Sequence, residues 1–79
     1  MHKRPLKIRE LINRLKPYRV VVMSKKRGKG SERILLLPNR PGSRKGLQYP
    51  IKYHGKDTEI SIPVINAILR RFSIDNFWD

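Results

Sequence analysis

The chain has 79 residues, 38% of them apolar, and carries 19 lysines and arginines against 6 acidic residues, a net charge of +13. That length gives one small domain, residues 1–79, too short for two cores, and the apolar fraction is too high for a disordered tail. The absence of cysteine excludes a disulfide framework and a thiolate metal site. The charge asymmetry asks for a polyanionic partner: nucleic acid, an anionic membrane or an acidic protein. No apolar run approaches the ~18 residues of a membrane span, and the basic N-terminal segment lacks the apolar stretch of a secretory signal. A cytoplasmic location away from membranes is therefore expected. His2 and His54 are far apart in sequence and suggest no metal site. Neither a metal nor a cofactor is expected.

Residues 5–16 read as a helix. Ile8, Leu11, Ile12 and Leu15 repeat at i, i+3, i+4, i+7, Pro5 suits a first turn and Pro17 stops the run. Residues 18–24 are rich in β-branched side chains and read as a strand. Residues 32–37 are apolar on both faces and read as a central strand. Between this strand and the next, Pro38 to Gly46 carry two prolines, two glycines and the cations Arg40, Arg44 and Lys45, and read as a mobile loop. Residues 47–53 alternate, with Leu47, Tyr49, Ile51 and Tyr53 on one face; Pro50, which has no N–H, puts this strand at a sheet edge. A turn at His54 to Asp57 leads to a helix from about Ile62 to Phe72. Ile65, Ile68, Leu69 and Phe72 form its apolar stripe, Ser61 offers a cap, Pro63 fits the first turn, and Arg70 and Arg71 complement the dipole at its end. Phe77 and Trp78 beyond it either pack back on the core or form a contact surface. The order α-β-β-β-α implies an α+β fold, a two-layer sandwich with both helices on one sheet face.

The segment joining the first two strands, Lys25-Lys26-Arg27-Gly28-Lys29-Gly30-Ser31-Glu32-Arg33, is the strongest functional signal. Glycines let backbone approach a ligand, their N–H groups can cradle an anion, and the cations attract a polyanion over distance. The plainer alternative is a solvated hairpin loop. Lys25, Lys26, Arg27, Gly28, Lys29, Gly30, Ser31, Arg33 and Lys52 are the candidate RNA-binding residues. Ser31 suits a phosphate contact or a cap rather than a nucleophile, because no base and orienting group stand beside it.

A strongly basic helix–sheet–helix domain resembles the double-stranded-RNA-binding-domain fold, which reads RNA through its shape, phosphates and 2′-hydroxyls. The element order, Gly30-Ser31 at the start of the second strand, Tyr53-His54-Gly55-Lys56, and Ile65-x-x-Ile68-Leu69-Arg70-Arg71-Phe72 together resemble the HicA family of bacterial toxins over nearly the whole chain. The resemblance implies a toxin of a toxin–antitoxin pair that binds and cleaves messenger RNA as a metal-independent endoribonuclease and is neutralised by a HicB-like antitoxin. The family motif is Gly-Ser-His with a catalytic histidine; here Glu32 stands in that place. RNA cleavage through the 2′-hydroxyl needs a base, an acid for the leaving oxygen and cations for the phosphorane charge. Glu32 is the candidate base, although Lys29 and Arg33 beside it would keep it ionised and weaken it for that task; otherwise it is a surface glutamate paired with cations. His54 is the second candidate catalytic group, since an imidazole can act as an acid or polarise a phosphate, or it is a turn histidine held by a backbone hydrogen bond. Two alternatives stand beside the toxin reading: a non-catalytic RNA-binding module on the same fold, and a basic protein whose partner is acidic protein rather than nucleic acid.

Overall fold

The computed structural model describes residues 2–24, 32–55 and 57–79. Lys25 to Ser31, with most of the candidate RNA-binding residues, and Lys56 lie outside them. The chain is an α+β domain of two helices and two antiparallel sheets. In order the elements are β1 (Leu6–Lys7), α1 (Ile8–Leu15), β2 (Val21–Ser24), β3 (Glu32–Pro38), β4 (Gly46–Lys52), β5 (Glu59–Ile60) and α2 (Ile62–Arg71). β3 is central in a three-stranded sheet of order β2-β3-β4, and β1 pairs with β5 in a two-stranded one.

The first helix is shorter than its periodicity suggests. Residues 6 and 7 are a strand, in register with Ile60 and Glu59. Leu6 and Ile8 are both buried, an alternation that belongs to the strand and then enters the helix. The N–H of Ile8 donates to the Thr58 carbonyl at 2.7 Å, so the helix starts against the β5 segment and Pro5 precedes it. At its other end the α-helix stops at Leu15 and a 3-10 turn, Lys16–Tyr18, carries Pro17. Arg19 then takes a left-handed conformation, φ 68°. Its N–H donates to Lys16 O and that of Val20 to Leu15 O, which satisfies carbonyls the helix end would leave open. The first long strand accordingly begins at Val21 rather than at residue 18.

The same device closes α2. Ser73 is left-handed, φ 57°, with its N–H on Arg70 O and that of Ile74 on Leu69 O, a Schellman pattern built without glycine. Ser61 sits at the N-cap, but its hydroxyl makes no capping bond; its carbonyl accepts from Ile65 N–H instead. Arg71 does more than complement the dipole, because its Nε–H donates to the Gln48 carbonyl of edge strand β4 at 3.0 Å. With Pro50 in the same strand lacking an N–H, β4 presents a poor template for strand addition.

The buried side chains form one core. Ile8, Leu11 and Leu15 of α1 and Ile65, Ile68 and Leu69 of α2 meet Leu35 and Ile51 of the sheet, with Leu6, Val20, Ile60, Phe72 and Phe77 completing it. Register assigns the sheet faces: Arg33, Leu35 and Leu37 lie opposite Ile51, Tyr49 and Leu47 on the core side, and Glu32, Ile34 and Leu36 lie opposite Lys52, Pro50 and Gln48 on the other. Leu36 is buried on that outer face, outside the core. The loop between β3 and β4, read as mobile, is closed by hydrogen bonds from Asn39 N–H to Lys45 O and from Lys45 N–H to the Ser43 hydroxyl. The C-terminal aromatics pack back: Phe77 is buried, and Trp78 meets its ring edge-on at 5.1 Å between centroids. Among the described residues no helix is long and apolar enough to cross a membrane.

Candidate nucleic-acid interface

The candidate residues that are described gather at one end of the three-stranded sheet, where β3 starts and β4 stops. Glu32 is the first residue of β3, half-buried, and stands directly opposite Lys52, the last residue of β4. Directly opposed side chains in an antiparallel pair are neighbours, with Cβ atoms about 5 Å apart, so a carboxylate and an ammonium are presented side by side on the outer face.

Arg33 follows on the core side. Its guanidinium lies over the Tyr53 ring, 4.1 Å from the centroid, and its Nη1–H donates to the Glu32 carbonyl at 3.1 Å. A guanidinium on an aromatic face gains about 0.5–2 kcal/mol, and here it also braces the backbone that carries Glu32. In this geometry Arg33 joins Tyr53 to the start of β3, a positional role that the charge pattern alone does not disclose.

His54 is exposed in the bend after β4. Its backbone N–H donates to the Thr58 hydroxyl at 2.8 Å, and that hydroxyl donates onward to Gly55 O at 2.7 Å. Thr58 thus closes the turn, and its own carbonyl receives the Ile8 N–H, which ties the turn to the start of α1. His54 lines an open groove of about 410 Å³ between β4, β5 and the first turn of α2. Lys52 and His54 line it together with Thr58, Glu59 and Ser61, over an apolar floor that includes Tyr49 and Val64.

The groove therefore brings together two of the predicted groups, Lys52 and His54, and adds Glu59, which sequence reasoning did not single out. Glu32 lies across the sheet from Lys52 and is not among the groove residues. The signal for Glu59 is slight: a turn centred on Gly55 sends the chain back past the end of β4, so residues 58–61 must run beside it. A cation, an imidazole and a carboxylate in one groove can hold a phosphodiester, donate a proton and accept one. Two other acidic side chains are engaged by cations. Asp57 lies 3.8 Å from Lys7 Nζ and 3.9 Å from Arg9, and Glu10 is bound by Arg4.

Comparison with protein-family models, with curated proteins and with solved structures returns no match. What defines the class is the chain itself: a small, strongly basic α+β domain with a groove lined by Lys52, His54 and Glu59 at one end of its sheet.

Proposed function

We propose that the chain is an RNA-binding toxin of the HicA kind, with a fold of the double-stranded-RNA-binding-domain type, that cleaves messenger RNA in the cytoplasm without a metal and is silenced by a HicB-like antitoxin. The observation that carries the reading is the groove in which Lys52 and His54 meet Glu59 on a chain of net charge +13. The order of the long elements and a core shared by both helices and one sheet face are consistent with it. In the proposed reaction a carboxylate removes the 2′-hydroxyl proton, the 2′-oxygen attacks phosphorus, and His54 protonates the departing 5′-oxygen while Lys52 stabilises the phosphorane. The products are a 2′,3′-cyclic phosphate and a free 5′-hydroxyl. Glu32 is the carboxylate the family pattern points to; Glu59 is the one that shares the groove with His54.

A second reading, a non-catalytic RNA binder, is favoured by one observation: Glu32, in the place of the family histidine, is not among the residues lining the groove. A single experiment separates the two. A defined RNA is incubated in chelator with the wild type and with Glu32→Ala, Glu32→His, Glu59→Gln and His54→Ala. Loss of the general base or acid should slow cleavage by about 100- to 10,000-fold while RNA affinity stays equal or rises for the carboxylate variants. Binding without cleavage by the wild type, with cleavage appearing in Glu32→His, would establish the non-catalytic module. Cleavage undiminished by all substitutions would remove the groove from the mechanism.

A further inference from the structure

The opposite end of the sheet carries a second pocket. Arg19, Val21, Pro38, Asn39, Arg40, Pro41 and Gly42 line a half-open pocket of about 470 Å³, within the range of about 300–1,000 Å³ typical of small-molecule sites. We propose that this pocket is a nucleotide-binding anchor for single-stranded RNA, a proposal that rests on the RNA-binding reading above.

The chemistry of the lining selects the ligand. Arg19 and Arg40 are both exposed at the pocket, and among the described residues no salt bridge engages either and no acidic side chain lines the pocket. The site therefore takes an anion. The remainder of the lining is unsuited to a bare phosphate or a carboxylate. Val21 is 45% exposed, and the rings of Pro38 and Pro41 add flat apolar surface with no backbone N–H to offer an anion. That surface suits the face of a base, and a guanidinium plane can stack on the same base or hold its phosphate. Asn39 supplies a side-chain amide, donor and acceptor together, of the kind that reads a base edge. An acidic peptide would find the two arginines but no use for the apolar floor.

The pocket is also held in shape before any ligand arrives. Arg19 is fixed in its left-handed conformation by its N–H bond to Lys16 O at 2.9 Å. Arg40 sits in a turn closed by Ser43 N–H on its carbonyl at 3.1 Å, with Gly42 at φ 79° supplying a conformation that other residues adopt at a cost. The loop base is locked by Asn39 N–H on Lys45 O at 2.8 Å. Preorganisation of this kind lowers the ordering cost of binding. The two sites are separated by the length of β3, from Glu32 to Pro38, about 20 Å at ~3.4 Å per residue. An RNA strand running along the β4 edge, past the exposed Gln48 and Pro50, would reach both.

The test uses uridine monophosphate, inorganic phosphate and a uridine dodecamer with the full chain. In amide NMR spectra, uridine monophosphate should shift Val21, Asn39 and Gly42, and phosphate at equal concentration should leave them in place. Arg40→Glu should abolish those shifts and weaken the dodecamer by at least about tenfold, the loss of one charge-assisted phosphate contact. Arg70→Glu, the same charge change on an exposed residue of α2, should weaken it less. Dodecamer binding that Arg40→Glu and Arg70→Glu reduce equally, with no pocket shift from the nucleotide, would overturn the anchor and leave the RNA reading standing. Equal shifts from phosphate would reduce the pocket to a simple anion site and overturn the nucleotide assignment. A wild type that binds no RNA but moves the pocket amides with polyglutamate would overturn both.

Discussion

Removal of the Phe77 ring tests whether the segment after α2 belongs to the core. Phe77 is 5% exposed. It meets Trp78 edge-on at 5.1 Å, lies 6.5 Å from the Tyr18 ring, and has the Arg14 guanidinium 5.1 Å from its centroid. The segment is further held by Trp78 Nε1–H on Asn66 and by the Tyr18 hydroxyl on Asn76. Phe→Ala at a buried site costs about 3–5 kcal/mol. Because the segment is terminal, part of this loss can be relieved by local unfolding, so about 2 kcal/mol is a lower bound for the whole molecule. A domain of this size holds only about 3–5 kcal/mol in total, and each kcal/mol is worth roughly 4–8 °C in Tm. Phe77→Ala should therefore lower Tm by at least about 8 °C in a circular-dichroism melt, and Phe77→Leu should recover most of that. A fall of less than about 4 °C would refute the reasoning and return the aromatic segment to the role of a contact surface.

Gly46→Ala should lower the urea midpoint by the equivalent of about 1–3 kcal/mol. A Cβ there would run into the Leu37 carbonyl and come within 2.9 Å of Asn39 N, at φ +154°, so β3 and β4 must part where Pro38 pairs with Gly46; an unchanged midpoint would contradict this. Glu10→Gln tests the ion pair with Arg4. The hydrogen bond from Arg4 holds the Glu10 carboxyl below its ordinary value of 4.5. The folded state thus takes up this proton at lower pH than the unfolded chain, so the stabilisation is complete above the ordinary carboxylate range and disappears as pH falls through the lowered folded value. Urea titrations should show Glu10→Gln less stable than wild type at neutral pH, the gap closing in acid and shrinking in high salt; a gap that widened in acid would reverse the assignment.

The sequence by itself determined the parts governed by short-range rules. The stripes Ile8-Leu11-Ile12-Leu15 and Ile65-Ile68-Leu69-Phe72 are properties of a helical turn; seven of these eight side chains are buried and Ile12 is half-buried against them. The alternation of residues 47–53 and the proline within it specified an edge strand, because a missing N–H can be tolerated only there. The total charge is likewise local information. Contacts between distant residues had to wait for the tertiary structure. Leu6 pairs with Ile60, and nothing near residue 6 encodes that partner, so the helix pattern absorbed a strand. Arg33 was legible as a cation, but not as a ring-stacked brace, because the turn of the chain after β4 decides where Tyr53 lies. The meeting of Lys52, His54 and Glu59, and the pairing of Arg19 with Arg40 across an apolar floor, arise where chain reversals bring separate segments side by side. Periodicity records which face of an element is buried; it carries no record of which residues from elsewhere share the space beyond its ends.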